Sequence, residues 1–320
     1  MTSEQPTWDT ARLPDQTGRT VVVTGATAGI GYFAAEQLAG AGADVVLASR
    51  SEGKLRRAAD TLRGAVPAAR VRTVVLELGS SASVDRAAAE LAALPRLDGI
   101  LLNGGAMSMD PRAVTEDGLP LLLGTHVAAN ARLVARLLPA LAATAAEHGG
   151  RSRIVHTSTG FVQQFPMRVD DLRRVPRLGI SAYTKAKTAT EIWAFELDRR
   201  LRAAGVPVAS IVTRPGVGVD AKTPERAGIQ DATTPYRRNP YTLWAQGKDT
   251  AAWSAVRALT DPQLQGGEYV SPQGRLRGAP VLVAPPARTA APPADAADRL
   301  WRQVEQLAGV GVDLTPQKLR

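Results

Sequence analysis

The 320-residue chain has no cysteine and only three histidines. Without cysteine it can build no disulfide framework, thiolate zinc site, thiol nucleophile or iron–sulfur cluster. His126, His148 and His156 are too few to suggest a histidine-rich centre, so no metal is expected. Long apolar runs are also missing. None approaches the roughly 20 residues needed to span a bilayer. Met1–Gln16 is polar and lacks the apolar centre of a signal peptide. These absences lead us to expect a soluble, cytoplasmic protein with no membrane insertion. The net charge is +9, but basic residues are scattered, in runs no longer than two, with no aromatic residues interleaved. That distribution does not suggest a nucleic-acid partner. Hydrophobic residues make up 44% and charged residues 22%, the balance of a globular chain.

What is present is an alternation of short β-branched runs with longer Ala/Leu/Arg stretches. Residues 19–24, 44–48, 70–76, 99–102, 153–157, 207–212 and 280–283 read as strands. Residues 31–41, 54–63, 84–94, 124–146, 181–204 and 251–259 carry helical spacing, with Pro139 expected to bend the fourth of these. Short apolar strands alternating with helices imply an α/β fold, a doubly wound parallel sheet of about seven strands covered on both faces. Ligands of such sheets bind beyond the carboxyl ends of the strands. We expect a polar extension over 1–16, one domain over 17–285 and a C-terminal region over 286–320. The last begins in a Pro/Ala linker, 284–294. It ends in an amphipathic helix over 295–308, with Leu300, Trp301, Val304 and Leu307 on its apolar side.

Two motifs carry chemistry. Thr24-Gly25-Ala26-Thr27-Ala28-Gly29-Ile30-Gly31 follows a strand and opens a helix. Its glycines permit a tight turn, and the positive end of a helix suits a pyrophosphate. Tyr183 and Lys187 lie four apart on the long helix 181–204 and so share a face. A phenol is a poor acid or base at neutral pH, and a nearby cation lowers its pKa.

These motifs in this order resemble the short-chain dehydrogenase/reductase family over about residues 17–285. Asn103-Gly104-Gly105 is similar to its N-N-A-G, with Leu102 in place of the first Asn. Ser158-Thr159 is similar to its S-S pair, and Arg214-Pro215-Gly216 to its P-G motif at the nicotinamide end. Residues 13–18 and 267–280 resemble the retinol-dehydrogenase-like branch. The resemblance implies a Rossmann fold and an oxidoreductase. Tyr183 would transfer the proton, while Lys187 would depress its pKa and hold the nicotinamide ribose. Thr159, or Ser158 in the alternative register, would hold the substrate oxygen. Counting back from Pro139, the family's helix Asn falls at His126 rather than Asn130. His126 is either a proton-relay residue in its place or a core histidine. The resemblance further implies pairing of the long helices into a homodimer or tetramer.

Thr24, Gly25, Thr27, Ala28, Gly29, Ile30, Gly31, Asn103, Gly104, Tyr183, Lys187, Pro215 and Gly216 are the expected coenzyme contacts. Leu47-Ala48-Ser49-Arg50-Ser51 has no acid for a ribose 2′-hydroxyl, whereas Ser49 and Arg50 suit a 2′-phosphate. NADP(H) is therefore the expected coenzyme, with Glu77 and Leu78 beside the adenine. Residues 217–250 stand where the family has its substrate lid. Tyr236, Tyr241 and Trp244 either cover an apolar ligand or pack the lid itself, and Arg237 and Arg238 either attract an acidic group or are solvated charges. Residues 161–174 are an insert and a candidate pocket wall. The expected activity is reduction of a ketone or aldehyde on a lipophilic small molecule. The alternatives are an epimerase or dehydratase on the same fold, or a non-catalytic nucleotide-binding protein.

Overall fold

In the computed structural model, residues 8–108, 110, 112–236 and 238–315 are described; the first seven positions of the N-terminal extension and Arg237 lie outside the described residues. The β-branched runs form strands because wholly apolar segments can bury both faces. In chain order the elements begin β1 (Thr20–Thr24), α1 (Gly29–Gly40), β2 (Asp44–Ser49), α2 (Glu52–Ala65), β3 (Arg70–Val75), α3 (Ser81–Ala92) and β4 (Gly99–Leu102). Next come α4 (Leu121–Leu123), a π-helical turn (Gly124–Ala128), α5 (Ala129–His148), β5 (Ser152–Thr157), α6 (Phe161–Gln164), α7 (Gly179–Ala203) and β6 (Val208–Thr213). The chain then forms α8 (Lys248–Ala251), α9 (Trp253–Thr260), β7 (Tyr269–Pro272), β8 (Pro280–Leu282), α10 (Ala287–Ala290) and α11 (Ala294–Ala308).

One eight-stranded sheet results, ordered β3-β2-β1-β4-β5-β6-β7-β8. All neighbours are parallel except β7 and β8. The fold is the expected doubly wound Rossmann type. The order reverses between β1 and β4, and a crevice opens there at the carboxyl edge. The unexpected strand is β7. It is short, ends in a proline and carries no alternation to distinguish it from a loop. β3 sits at the sheet edge with Arg70 and Arg72 exposed, a charged edge that resists pairing with another chain.

Two apolar cores lie against the sheet. One gathers α3, α5, α7 and α11, the other α1, α2 and α9. Each fully buried Leu or Ile contributes about 1.5–3 kcal/mol relative to exposure. The helical stretch Leu121–His148 is long and apolar enough to cross a membrane, but 78% of its apolar 18-residue window is buried inside this protein, as befits a core helix. Pro139 lies inside α5 as read from sequence.

The Pro/Ala segment is not a free tether. It contains α10, and Thr289 within it is wholly buried. From there α11 crosses α5 and α7. Trp301 stacks on Trp193 with ring centroids 6.0 Å apart, and the Arg200 guanidinium lies 4.3 Å over Trp301. The chain's own C-terminal helix thus covers part of the long-helix surface that the family resemblance assigns to subunit pairing.

Candidate active site

The glycine turn is built by close approach. Gly25 has φ +67°, and a Cβ there would lie 2.9 Å from the Gly104 Cα, so a side chain would strain the turn and push away the segment after β4. Thr24 locks the two together. Its hydroxyl donates to the Leu101 carbonyl at 3.1 Å and accepts from the amides of Asn103 and Gly104 at 3.0 and 2.8 Å. The Asn103 amide group reaches the Thr24 carbonyl at 3.3 Å. No side chain caps α1 and no acid stands in its first turn. The amides of Ala28 to Gly31 therefore carry uncompensated positive character.

An open cleft of about 910 Å³ runs along this edge, lined among others by Thr24, Gly25, Ser49, Arg50, Glu77 and Leu78. Thr27 and Ser49 meet at 3.3 Å through their hydroxyls. The Arg50 side chain is 77% exposed, and its nearest carboxylate is Glu77 at 3.9 Å, a loose pairing that leaves the guanidinium available. The other Glu77 oxygen accepts from the Gly79 amide at 2.8 Å. Across the crevice, the Pro215 carbonyl accepts from Gln246 at 2.9 Å, which fixes the Pro215-Gly216 turn against the lid. Lys248, not singled out from sequence, lies beside the glycine turn and pairs with Asp220; its Cδ would be 3.7 Å from a Cβ at Gly29.

At the same edge α7 presents Tyr183 and Lys187. The Lys187 ammonium is buried, lies 5.9 Å from the Tyr183 ring centroid and donates to the Thr157 carbonyl at 2.6 Å. Burial pulls the Lys187 pKa down to about 8, against an opposing pull from Glu191. Burial pushes the Tyr183 phenol up to about 12, with a side-chain hydrogen bond to Thr159 acting the other way. Burial thus acts against the expected depression of the phenol, and the lysine spends a hydrogen bond on a strand-end carbonyl, so the Tyr183 phenol keeps its proton across the neutral range.

The hydroxyl alternatives separate. Thr159 is the hydroxyl that acts on the Tyr183 phenol, pulling its pKa down, whereas the buried Ser158 hydroxyl donates to Glu191 at 2.5 Å. His126 lies in the π-helical turn, the kind of insertion that recurs at functional sites. Its ring stands edge-on to Tyr183 at 5.5 Å. A Cβ at Gly105 would fall 2.0 Å from the His126 Cε1, so only glycine lets the ring pack there. His126 Nε2 meets the Ala106 carbonyl at 2.8 Å, and Nδ1 is buried with no hydrogen-bond partner among the described residues. Burial, then Lys187, drives its pKa down to about 3, so the ring is neutral. Asn130 instead turns back onto the His126 carbonyl at 3.0 Å, away from the relay position.

The model of the short chain dehydrogenase family matches residues 19–227. Polyprenol dehydrogenase of Mus musculus is 34% identical over 302 residues, spanning 93% of this chain and 86% of its own length. The chain belongs to the short-chain dehydrogenase/reductase family. A short chain dehydrogenase/reductase of Colletotrichum higginsianum is 31% identical, spanning 84% of this chain and 72% of its own. Among solved structures, an uncharacterized protein of Mycobacterium paratuberculosis superposes with a TM-score of 0.74 at 28% identity, covering 96% of this chain and 99% of that one.

Around this dehydrogenase/reductase centre the variable segments are anchored. Lys185 donates to the carbonyls of Asp171 and Arg174 and so pins the insert to α7. Arg214 is buried and bonds Gln163 of α6 at 2.5 Å and Ser271 of β7 at 2.7 Å. A narrow crevice lies between the insert and α7, lined by Leu122, Leu172, Val175, Pro176, Ala182 and Ala186 among others. Segment 217–250 is tied to α1 by paired bonds of 2.8 Å from Arg226 to Glu36. Tyr236, Tyr241 and Trp244 do not pack the lid; they are 62%, 52% and 56% exposed, and Arg238 is exposed beside them.

Sequence reasoning missed Glu191, Tyr269 and Thr289, which form a buried polar cluster behind Lys187. The available signal was the position of Glu191, four residues beyond Lys187 on the same helix.

Proposed function

We propose that this chain is an NADP(H)-dependent reductase of a ketone or aldehyde on a lipophilic small molecule. The observation that carries the reading is the Tyr183–Lys187 pair on one face of α7, with Thr159 acting on the phenol, at the same sheet edge as the glycine turn and the cleft that turn lines. The residues suit a dinucleotide. The α1 amides and the glycine turn fit a pyrophosphate, and Ser49 with the exposed Arg50 fits a 2′-phosphate. Thr24 and Asn103 brace that surface. Bound there, the nicotinamide would supply the hydride.

The side chains divide the remaining work. Thr159 donates a hydrogen bond to the carbonyl oxygen and orients it. Tyr183 gives its phenolic proton to that oxygen as negative charge builds on it. Lys187 stabilises the resulting phenolate and holds the coenzyme ribose. The phenol is reprotonated from solvent along the Lys187 side of the site, where the bare Nδ1 of His126 can accept from a water. A phenol held protonated by burial favours the reductive direction. The lipophilic substrate class is supported by the exposed lid aromatics and by the name of the mouse relative. That name favours a second reading of direction, oxidation of a polyprenol-like alcohol.

The test is coenzyme oxidation at 340 nm against a panel of short, aromatic and long-chain prenyl aldehydes and ketones, with dissociation constants for NADPH and NADH. Tighter NADPH and turnover on apolar carbonyls are expected. Equal coenzyme affinities overturn the NADP(H) assignment, and binding without turnover on any carbonyl or alcohol overturns the reductase.

A further inference from the structure

Glu191 sits on α7 one turn beyond Lys187 and is completely buried. Three hydroxyls from separate parts of the chain converge on it. Ser158, after β5, donates to Oε1 at 2.5 Å. Tyr269 of β7 donates to the same oxygen at 2.9 Å, and Thr289 of α10 donates to Oε2 at 2.9 Å. Three donors on two oxygens is the pattern an ionised carboxylate accepts. Burying a charge is costly unless it is paired and hydrogen-bonded, so a carboxylate here calls for a partner charge. Burial pushes the Glu191 carboxyl above its ordinary range, and the three hydroxyl donors and the positive potential of Arg288 pull it back toward the ionised form. Arg214 adds to that potential, but both guanidiniums are engaged elsewhere, the first on Ser271 and Gln163, the second on the Val162 carbonyl. The cation on the same helix face is Lys187.

We infer that Glu191 is a positioning residue for the proposed reaction: it draws Ser158 away from the reacting centre, leaving Thr159 to face Tyr183, and it keeps Lys187 charged from one helical turn away. The inference rests on the reading of Tyr183 and Lys187 as the proton-transfer pair. The groups facing Lys187 are otherwise neutral. The Thr157 carbonyl accepts its proton, Tyr183 is a phenol, and His126 from the π-helical turn and His156 from β5 are both held neutral by burial. Glu191 is the acidic group that raises the affinity of Lys187 for its proton, while burial lowers it. Without that carboxylate, Lys187 is left buried among neutral groups and loses its proton nearer neutrality. The phenolate of Tyr183 and the coenzyme ribose then lose the cation they need.

The chain has few lysines, so the charge of Lys187 can be read directly. The probe is carbon-13 NMR of ε-labelled lysine, with the Lys187 signal assigned by its loss in Lys187→Met. In the unmodified protein the Lys187 midpoint is expected near pH 8. Glu191→Gln keeps an acceptor for the hydroxyls but removes the charge, and should lower the midpoint by about one pH unit or more. A midpoint within about 0.3 unit of the parent, in a variant with an unchanged circular dichroism spectrum, overturns the inference. If Glu191→Gln does not fold, Glu191→Asp carries the test. Its retracted charge should produce a smaller shift of the same sign, and no shift overturns the inference. The titration needs neither coenzyme nor carbonyl, so its outcome is independent of the reductase assay. In active enzyme, the basic limb of kcat should follow the Lys187 midpoint while KM for the carbonyl changes little. A merely structural Glu191 would lower activity without moving that limb.

Discussion

Replacing His126 with Asn tests the unusual feature of this site on two axes. The ring is neutral in the folded protein because burial and the neighbouring Lys187 bring its pKa to about 3, while in the unfolded chain it returns to about 6.5. A base whose folded pKa is depressed favours the unfolded state whenever protons are available. The stability loss begins as pH falls below about 6.5 and deepens until about pH 3. At pH 5 the unfolded histidine is almost wholly protonated and the folded one is not, which amounts to about 2 kcal/mol. The figure depends on the unfolded pKa rather than on the depth of the folded one, since pH 5 lies well above the latter. Asn130 cannot compensate, because its side chain is bonded to the His126 backbone. The assay is urea unfolding of parent and His126→Asn at pH 7.5, 6 and 5. The parent should lose about 2 kcal/mol more than the variant between the ends of that range. His156 is also held near pKa 3 and contributes equally to both proteins, so it cancels. Slopes parallel within about 0.5 kcal/mol would refute the buried neutral imidazole. In turnover, an acidic limb due to His126 must lie near pH 3–4, below its unperturbed range, and vanish in His126→Asn with neutral-pH activity largely kept. If His126→Ala is as active as the parent, His126 only packs against Gly105 and Tyr183.

Tyr183→Phe removes one hydroxyl, so coenzyme affinity should persist while turnover falls by three orders of magnitude or more; retained activity would reject the proton assignment. Arg50→Ala should weaken NADPH about tenfold, roughly 1.4 kcal/mol, and leave NADH unchanged, as read by fluorescence titration. Trp301→Ala empties the stack against Trp193 and the Arg200 contact, and should cost about 3–5 kcal/mol in chemical unfolding. A loss under about 1 kcal/mol would mean that α11 is not part of the folded core.

The strands β1, β2, β4, β5 and β6 were legible because an apolar run bounded by turn residues has few other uses in an α/β chain. β7 was not, since Tyr269–Pro272 is short and its parallel partner, β6, lies far away in sequence. The glycine turn and the Tyr183–Lys187 pair were legible because their chemistry is local: neighbouring amides on a turn and two side chains on one helix face. The choice between Ser158 and Thr159 was not local. It is made by a carboxylate more than thirty positions away, whose own partners come from β7 and α10. Spacing puts a cation near the phenol but does not tell how dry the site is, and here burial is the largest influence on the Tyr183 pKa, raising it.

The C-terminal region therefore belongs to the site's support. α11 packs on α5, on α7 and on the π-helical turn that carries His126. α10 delivers Thr289 to Glu191, and Glu191 holds Ser158. A π-helical turn and a buried carboxylate are both expensive local states that persist only when surrounding structure enforces them. Some of the enforcing contacts come from past the stretch 19–227 that the family model matches: Tyr269 of β7, Thr289 of α10 and the packing of α11. The glycine turn, the Tyr183–Lys187 helix, Ser158 and Glu191 all lie within that stretch. The later segment thus buttresses a polar cluster whose carboxylate belongs to the common part of the fold.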